Sequence, residues 1–449
     1  MTEATPPLSL EEGRELLLAG LKPVGRVKIR LAEAPGRILA EPVVAPRSFP
    51  PFPRSLVDGY ALGPPLNSPE APGAGGSGKT YRVVATVAAG NCPDVTLRPG
   101  RAAVIFTGAR PPEGTVTVIS GELAERRGDL VVVPELPRGR FLEAAGAEVA
   151  AGERVLAAGT ELGPAEIGLL AALGLTEITV YRRPRVVLAA SGSELMELLG
   201  PGGDCPGGRQ AGGEVVSPGA GQVLAPGPRI YNSNFYALAA AARRDGARVI
   251  PLGPLADELV EQVEAYRKAL EEGDILLTTG GAGGSTRDLT AAAFTGAGGE
   301  ILFTAIRMRP GRRVIAARRR DKLFLGLPGN PPAALVAYYL LAAPVIRALG
   351  GREVLPATFP AVLTAAVDKP RPERAFIWAR AWPGTTGWQV APLPRLPGGI
   401  RAAIGANALI DLPAGLAPGA GEEVRVVLLA ARGSQKGPPD AKQIEGVQS

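Results

Sequence analysis

The chain has 449 residues, enough for two to four domains, and its 46% apolar and 20% charged content is that of a globular protein. It contains no histidine, which excludes a His general base, a Ser-His-Asp triad and any His-ligated metal. Cys92 and Cys205 form no C-x-x-C, so acid–base or metal chemistry falls to Asp, Glu, Lys and Arg.

The N-terminal MTEATPPLSLEEGRELLLAG has no positive region ahead of an apolar core and does not read as a signal peptide. Residues 1–45 read as a helical start and an extended segment, followed by the proline-rich SFPPFPRS, which forbids helix. From 81 to 140, VVATVAAG, AAVIFTGA, GTVTVISGE and DLVVVPEL are strand candidates of a β-rich domain. Between 184 and 348 short apolar strands alternate with helical runs, a rhythm that calls for a parallel sheet covered by helices on both faces. There Asn232 or Ser233 can cap a helix that Gly246 stops, and Leu259, Val260, Val263, Tyr266, Ala269 and Leu270 share one helical stripe. Residues 200–229, with ten glycines and five prolines, cannot bury enough apolar surface to offset their ordering entropy and read as a mobile insertion. RMRPGRRVIAARRR (307–320) concentrates the net charge of +6 in seven arginines, either a solvated loop and hairpin or a contact for a phosphate-rich small ligand. Nucleic acid is disfavoured, because no aromatic residues are interleaved for base stacking. The apolar run at 333–346 is read as too short to span a membrane, and a cytoplasmic location is expected. Residues 352–430 return to strand patterning, as a small barrel or sandwich, and the tail after Arg432 is polar.

Four stretches carry chemistry. In DILLTTGGAGGSTRDLTAAAF (274–294) a buried strand ends at Gly280 and Gly281, and the helix start that follows offers backbone N–H groups to an anion. Ser285 and Asp288 also fit a capping box there. FLGLPGNPPAALVAYY (324–339) repeats the arrangement, with Gly329 in the loop, Asn330 as N-cap and Pro331 in the first turn. Two such turns in one α/β domain point to a shared phosphate crevice at the carboxyl ends of the strands. RSLVDGYAL (54–62) is a turn signal at Asp58-Gly59, and AASGSELMEL (189–198) puts Glu194 just after a strand.

In sequence order, S-x-x-DGYA, LRPGRAAVIFTGA, RRPRV…SGSEL, IYNSN, TTGG…D, RPGR and GLPGNP resemble the molybdopterin molybdotransferase family of the MoeA and gephyrin E-domain type, from about residue 8 to 430. The resemblance implies an enzyme that inserts molybdate, or tungstate, into adenylylated molybdopterin with release of AMP and help from Mg²⁺. It implies an elongated chain of α/β plus β type, with a parallel-sheet molybdopterin-binding domain, a β-rich inserted domain and a C-terminal β-barrel. The expected parts are 1–45 with 141–183, 46–140, 184–350, 351–431 and a tail at 432–449. A homodimer is implied, with the site between the α/β domain and the partner subunit's β-rich domain. Molybdopterin adenylyltransferase and recipient molybdoenzymes are the implied protein partners. Family site positions fall on Asp58, Glu194, Asp257 and Asp288 as catalytic and Mg²⁺-binding carboxylates. They fall on Ser55, Thr107, Gly280, Gly281, Ser285, Arg309, Arg312, Gly329 and Asn330 as substrate-binding residues. Carboxylates beside a phosphate would repel it by roughly 4 kcal/mol each at 4 Å and an effective dielectric of 20, and a divalent cation reverses that sign.

The chain departs from the family pattern at several places, RSLVDGY among them. RPGRR replaces a lysine-bearing loop, which keeps charge and changes geometry. GGIRAAIGAN (398–407) lacks the serine expected before A-N, and the arginines expected just before Glu148 are absent. TTGGAGGSTRDLT is nearer to the related molybdopterin adenylyltransferases, so an adenylyltransferase-like activity, or a pterin-binding protein without turnover, stands as the alternative.

Overall fold

Ser9-Leu-Glu-Glu starts the first helix by a reciprocal cap. The Glu12 N–H donates to Ser9 Oγ at 3.2 Å, and the Ser9 N–H donates to Glu12 Oε2 at 2.7 Å. This helix, α1 (Leu10–Leu18), ends where Arg318 donates to the carbonyls of Leu16, Leu17 and Ala19 at 2.7–3.0 Å, satisfying its last turn. The computed structural model describes residues 6–66, 78–134, 140–192, 194–196, 230–280, 286–367, 369–394 and 399–429. The 200–229 insertion, Gly281, Ser285 and the tail after Arg432 lie outside these. The chain divides into two compact units, Lys28–Val180 and the remainder.

The Lys28–Val180 unit contains a six-stranded sheet of β1 (Gly59–Leu62), β2 (Gly78–Val87), β3 (Arg101–Ile105), β4 (Thr117–Ser120), β5 (Glu125–Arg127) and β6 (Leu130–Pro134). The strand order is β4-β1-β3-β2-β6-β5. All four strand candidates read from Val/Thr-rich stretches are in it. The stretch read only as a turn, DGYAL, supplies β1, the inner strand between β3 and β4. Gly59 is obligatory there, since a Cβ would sit 1.9 Å from the Ile119 carbonyl oxygen. The helix α2 (Pro164–Ala172) has proline in its first turn and packs Leu170 into a separate small core with Leu39, Leu162 and Val180.

In the other unit, six strands form one sheet: β7 (Arg185–Ser191), β8 (Arg248–Leu255), β9 (Ile275–Thr279), β10 (Glu300–Phe303), β11 (Ile315–Arg319) and β12 (Lys322–Leu327), in the order β8-β7-β9-β12-β11-β10. The first four in that order are parallel, as the alternation predicts, while β11 and β10 continue the sheet antiparallel. The sheet is therefore mixed. Of the two readings left open for the arginine run, the hairpin of the solvated one is present: β11 and β12 are turned at Arg320 with φ 57°, with β11 inside the sheet. β9 is buried at every residue, which its continuous apolar run requires of an inner parallel strand.

Helices α3 (Ser233–Arg244), α4 (Leu259–Glu272), α5 (Thr286–Gly296), α6 (Pro331–Ala337) and α7 (Ala343–Leu349) cover the sheet. α1, α3, α6 and α7 contribute to one apolar core, α4 and α5 to another. Asn232 caps α3 by accepting from Phe235 N–H at 3.1 Å, and Gly246 turns out of it at φ +92°. The α4 stripe differs from expectation at its start. Leu259 and Val260 are exposed, and Gln262 takes the inward position above Tyr266 and Ala269. Its amide donates to Ala256 O at 2.9 Å, which closes the preceding loop. Tyr266, Phe294 and Phe324 stack at centroid distances of 5.3 and 4.9 Å, tying α4 and α5 to β12.

Residues 331–349 run as α6, a π-helical turn (Tyr338–Ala342) and α7. This run is long and apolar enough to cross a membrane, contrary to the expectation that it is too short, but 78% of its most apolar window is buried. Pro344 has no N–H to give Leu340, and Arg14 Nε donates to that carbonyl at 2.7 Å instead. The C-terminal strands β13 (Thr358–Leu363), β14 (Ala375–Pro383), β15 (Trp388–Pro392), β16 (Ala408–Leu412) and β17 (Glu423–Leu428) resolve the barrel-or-sandwich alternative: they close as a barrel, β13-β15-β14-β16-β17.

Candidate functional site

The carboxyl ends of β7, β9 and β12 lie side by side, and each runs directly into a sequence-predicted loop. Gly280 follows β9 at φ +83°, and a Cβ on it would lie 2.1 Å from Ser191 O, so no side chain fits between these strand ends. A Cβ on Gly329, in the loop after β12, would lie 3.3 Å from Gly280 Cα. The two glycine loops therefore abut. Asn234, in the first turn of α3, donates from Nδ2 to Gly329 O at 2.7 Å. Asn330 accepts from Ala333 N–H at 3.3 Å and so starts α6. The amino ends of α3 and α6 are thus fastened together, each with partial positive charge of roughly half an electron. Asn234 was not singled out in the sequence; its place one residue after Ser233 in IYNSN was the available signal.

Two predicted carboxylates follow neighbouring strand ends, and a third lies at the start of α5. Glu194 stands exposed in the turn after β7, where Leu195–Met196 pair with Ile230–Tyr231. Asp257 is exposed in the loop after β8, which pairs with β7. Asp288 occupies the first turn of α5; its side chain, like Gly281 and Ser285, lies outside the described residues. Among the described residues no three acidic, cysteine or histidine side chains are close enough to hold a metal by themselves. Next to Gly280, the buried Tyr266 hydroxyl approaches those of Ser191 and Thr278 without good hydrogen-bond geometry, and burial raises its pKa to about 12.

The RPGRR loop is held against the same helix. Gly311, at φ +98°, has room for a Cβ only 3.0 Å from Met308 and 3.5 Å from Ala333 O, in the first turn of α6. Arg309 Nε donates to Glu373 Oε2 at 2.8 Å, and Arg312 Nη1 lies 3.0 Å from Glu373 Oε1. Both arginines predicted to grip an oxyanion thus share one carboxylate that the sequence reading missed. The seven arginines do not form one patch, since Arg318 caps α1 and Arg307 faces Glu12 at 3.6 Å.

The remaining predicted residues are in the Lys28–Val180 unit. Asp58 Oδ1 accepts from both the Thr107 N–H and the Thr107 Oγ1–H at 2.7 Å. These bonds, the backbone one first, hold the Asp58 carboxyl below its usual value. Asp58 Oδ2 has no partner among the described residues. Ser55 is buried, with its hydroxyl donating inward to Val57 O at 2.6 Å and its backbone bonded to Gly108 and Ala109. It braces the turn that carries Thr107.

Three family descriptions match the chain: the MoeA N-terminal region (domain I and II) over residues 8–174, a probable molybdopterin binding domain over 212–348, and the MoeA C-terminal region (domain IV) over 360–429. The chain is 36% identical over 330 residues to the molybdopterin molybdenumtransferase of Nostoc sp., covering 72% of this chain and 69% of that one. It is 30% identical over 417 residues to the molybdopterin molybdenumtransferase of Staphylococcus epidermidis, covering 92% and 93%. The solved molybdopterin biosynthesis MoeA protein of Pyrococcus horikoshii superposes with a TM-score of 0.74 at 27% identity, over 95% of this chain and all of that one.

Proposed function

The chain belongs to the MoeA family, and we propose that it acts as a molybdopterin molybdenumtransferase, inserting molybdate or tungstate into adenylylated molybdopterin with release of AMP. The observation that carries this reading is the abutment of the Gly280 and Gly329 loops at the ends of three parallel strands, locked by Asn234. Such a floor takes a phosphate-bearing ligand through backbone N–H groups, with no side chain to block approach. The loop of Arg309 and Arg312, packed on α6, supplies charge for a tetrahedral oxyanion substrate.

Mg²⁺ is the cation this reading assigns to the carboxylates around the floor. That ion takes one or two carboxylates with phosphate oxygens and waters rather than a full protein cage. Glu194, Asp257 and Asp288 would hold it in this unit; within the Lys28–Val180 unit, Asp58 has an Oδ2 free to meet a cation. When bound, it neutralises the phosphoanhydride and favours departure of AMP. The chain's own groups do the rest: the glycine loops bind and orient the phosphates, Thr107 keeps Asp58 ionised, and the arginines place the oxyanion. With no histidine, positioning and charge carry the reaction.

Ser55 belongs in this scheme as a support for the Asp58–Thr107 turn. We further assign the four-part division at 1–45 with 141–183, 46–140, 184–350 and 351–431, a homodimer, and a cytoplasmic location. Equilibrium binding of adenylylated molybdopterin tests the reading. Gly280→Ala should weaken it at least tenfold while the barrel and the Lys28–Val180 unit stay folded, and unchanged binding would remove the floor from the site.

A further inference from the structure

A cavity of about 210 Å³ lies between α1 and the barrel, away from the strand ends described above. Its floor is apolar, with Leu10, Phe376 and Val427, and its charged lining is Arg14, Arg374, Arg425, Asp411 and Glu353. Arg374 is fully engaged. It donates from Nε and Nη2 to the two oxygens of Asp411 at 2.7 Å, and from Nη1 to Glu11 at 2.7 and 2.9 Å. Those bonds commit the Asp411 and Glu11 carboxylates chiefly to Arg374. Arg425 reaches only to 3.9 Å from Asp411, beyond hydrogen-bond range. Arg14 is anchored by Nε on Leu340 O, the carbonyl freed by Pro344, and its two terminal nitrogens have no acceptor among the described residues. Burial lowers the Arg14 pKa to about 10, so it stays charged at neutral pH while Glu11 and Asp411 offset only part of its desolvation. Glu353 likewise has no partner among the described residues, although it lines the same cavity.

We propose that this cavity is a binding site for a phosphate group that retains one proton, with Arg14 and Arg425 gripping its charged oxygens and Glu353 accepting its P–OH. A guanidinium held at one nitrogen presents its remaining fork to two oxygens of a tetrahedral anion. The cavity has room for several water molecules and therefore for such a group. Glu353 sets the selectivity. It repels an anion that is fully ionised, such as sulfate, and hydrogen-bonds one that carries its own proton. Asp411 differs from Glu353 in that its charge is already paired by the two bonds from Arg374.

The test is calorimetric titration of the full chain with inorganic phosphate, sulfate and glycerol phosphate near neutral pH. Phosphate should bind at least tenfold more tightly than sulfate, and Glu353→Gln should bring sulfate level with phosphate. Arg14→Met should lower phosphate affinity at least tenfold. Because Arg14 also supports the helix at Leu340, exposed Arg425→Met serves as the second variant and should lower it severalfold with no change in melting temperature. Competition by glycerol phosphate would extend the site to phosphate monoesters; its failure would restrict the proposal to free phosphate. Arg312→Ala should leave phosphate binding intact. Binding lost in that variant would place the anion in the RPGRR loop and overturn the proposal, as would phosphate affinity unchanged in both Arg14→Met and Arg425→Met, or sulfate binding equal to phosphate in the unaltered chain.

Discussion

Glu373 pairs with both Arg309 and Arg312, so a molybdate ion bound by these arginines competes with a carboxylate for their charge. Changing Glu373 to Gln removes the competing charge and keeps the side chain's shape. The two ion pairs involve arginines 55% and 46% exposed and a carboxylate 20% exposed, so each pair counts as a screened surface contact. Such contacts contribute about 0.2–1 kcal/mol apiece. Relieving both gives up to about 2 kcal/mol, or up to about thirtyfold tighter oxyanion binding. Gln can still accept from one guanidinium, so about threefold is the lower expectation. Isothermal titration with molybdate or tungstate measures the effect, and the gap between the two proteins should narrow as salt rises. Equal or weaker affinity in Glu373→Gln would refute the idea that Glu373 and the oxyanion share these arginines. If Arg312→Ala also binds like the unaltered chain, the loop is not the oxyanion contact.

Four other outcomes are expected. Asp288→Ala should abolish AMP release with a stability loss of at most about 1–2 kcal/mol, the size of a lost helix cap, as read from activity and thermal melts. Gly280→Ala should cost at least about 1–2 kcal/mol from its left-handed backbone alone, measured by urea unfolding. Asp245, 4% exposed by side chain, accepts from Tyr338 Oη at 2.7 Å and Arg347 Nε at 2.8 Å, and Asp245→Ala should destabilise by about 3–5 kcal/mol on the same assay. Asp58 has a folded pKa below its unfolded value, so the contribution of its bonds to Thr107 is complete above the ordinary aspartate range and is lost as pH falls through the lower folded value. Thr107→Val should move the Asp58 carboxyl upward in an NMR titration.

What the sequence disclosed was mostly local. Asn232, Gly246, Asn330 and Pro331 act within four residues of where they stand, so their roles at helix ends could be read from spacing alone. The β-α rhythm likewise predicted the parallel strands and the helices on both faces. What stayed hidden depends on contacts distant in sequence. Glu373 lies 64 residues from Arg309, and nothing in RPER marks it as that arginine's partner. Arg318 reads as one charge in a run until α1, about three hundred residues earlier, presents its carbonyls. Gly59 reads as half of a turn signal, although its need is the Ile119 carbonyl against its Cα. Ser55 reads as a ligand by its place in the motif, and its inward hydroxyl follows from packing that the motif does not encode. β11 was legible only as part of a hairpin because arginines at its end masked a short apolar strand.

The most direct test of the account is incubation of the full chain with adenylylated molybdopterin and Mg²⁺, with and without molybdate, following AMP. AMP release should depend on molybdate or tungstate and be lost in Asp288→Ala. No AMP under any of these conditions, or consumption of ATP with molybdopterin to make the adenylylated compound instead, would contradict it.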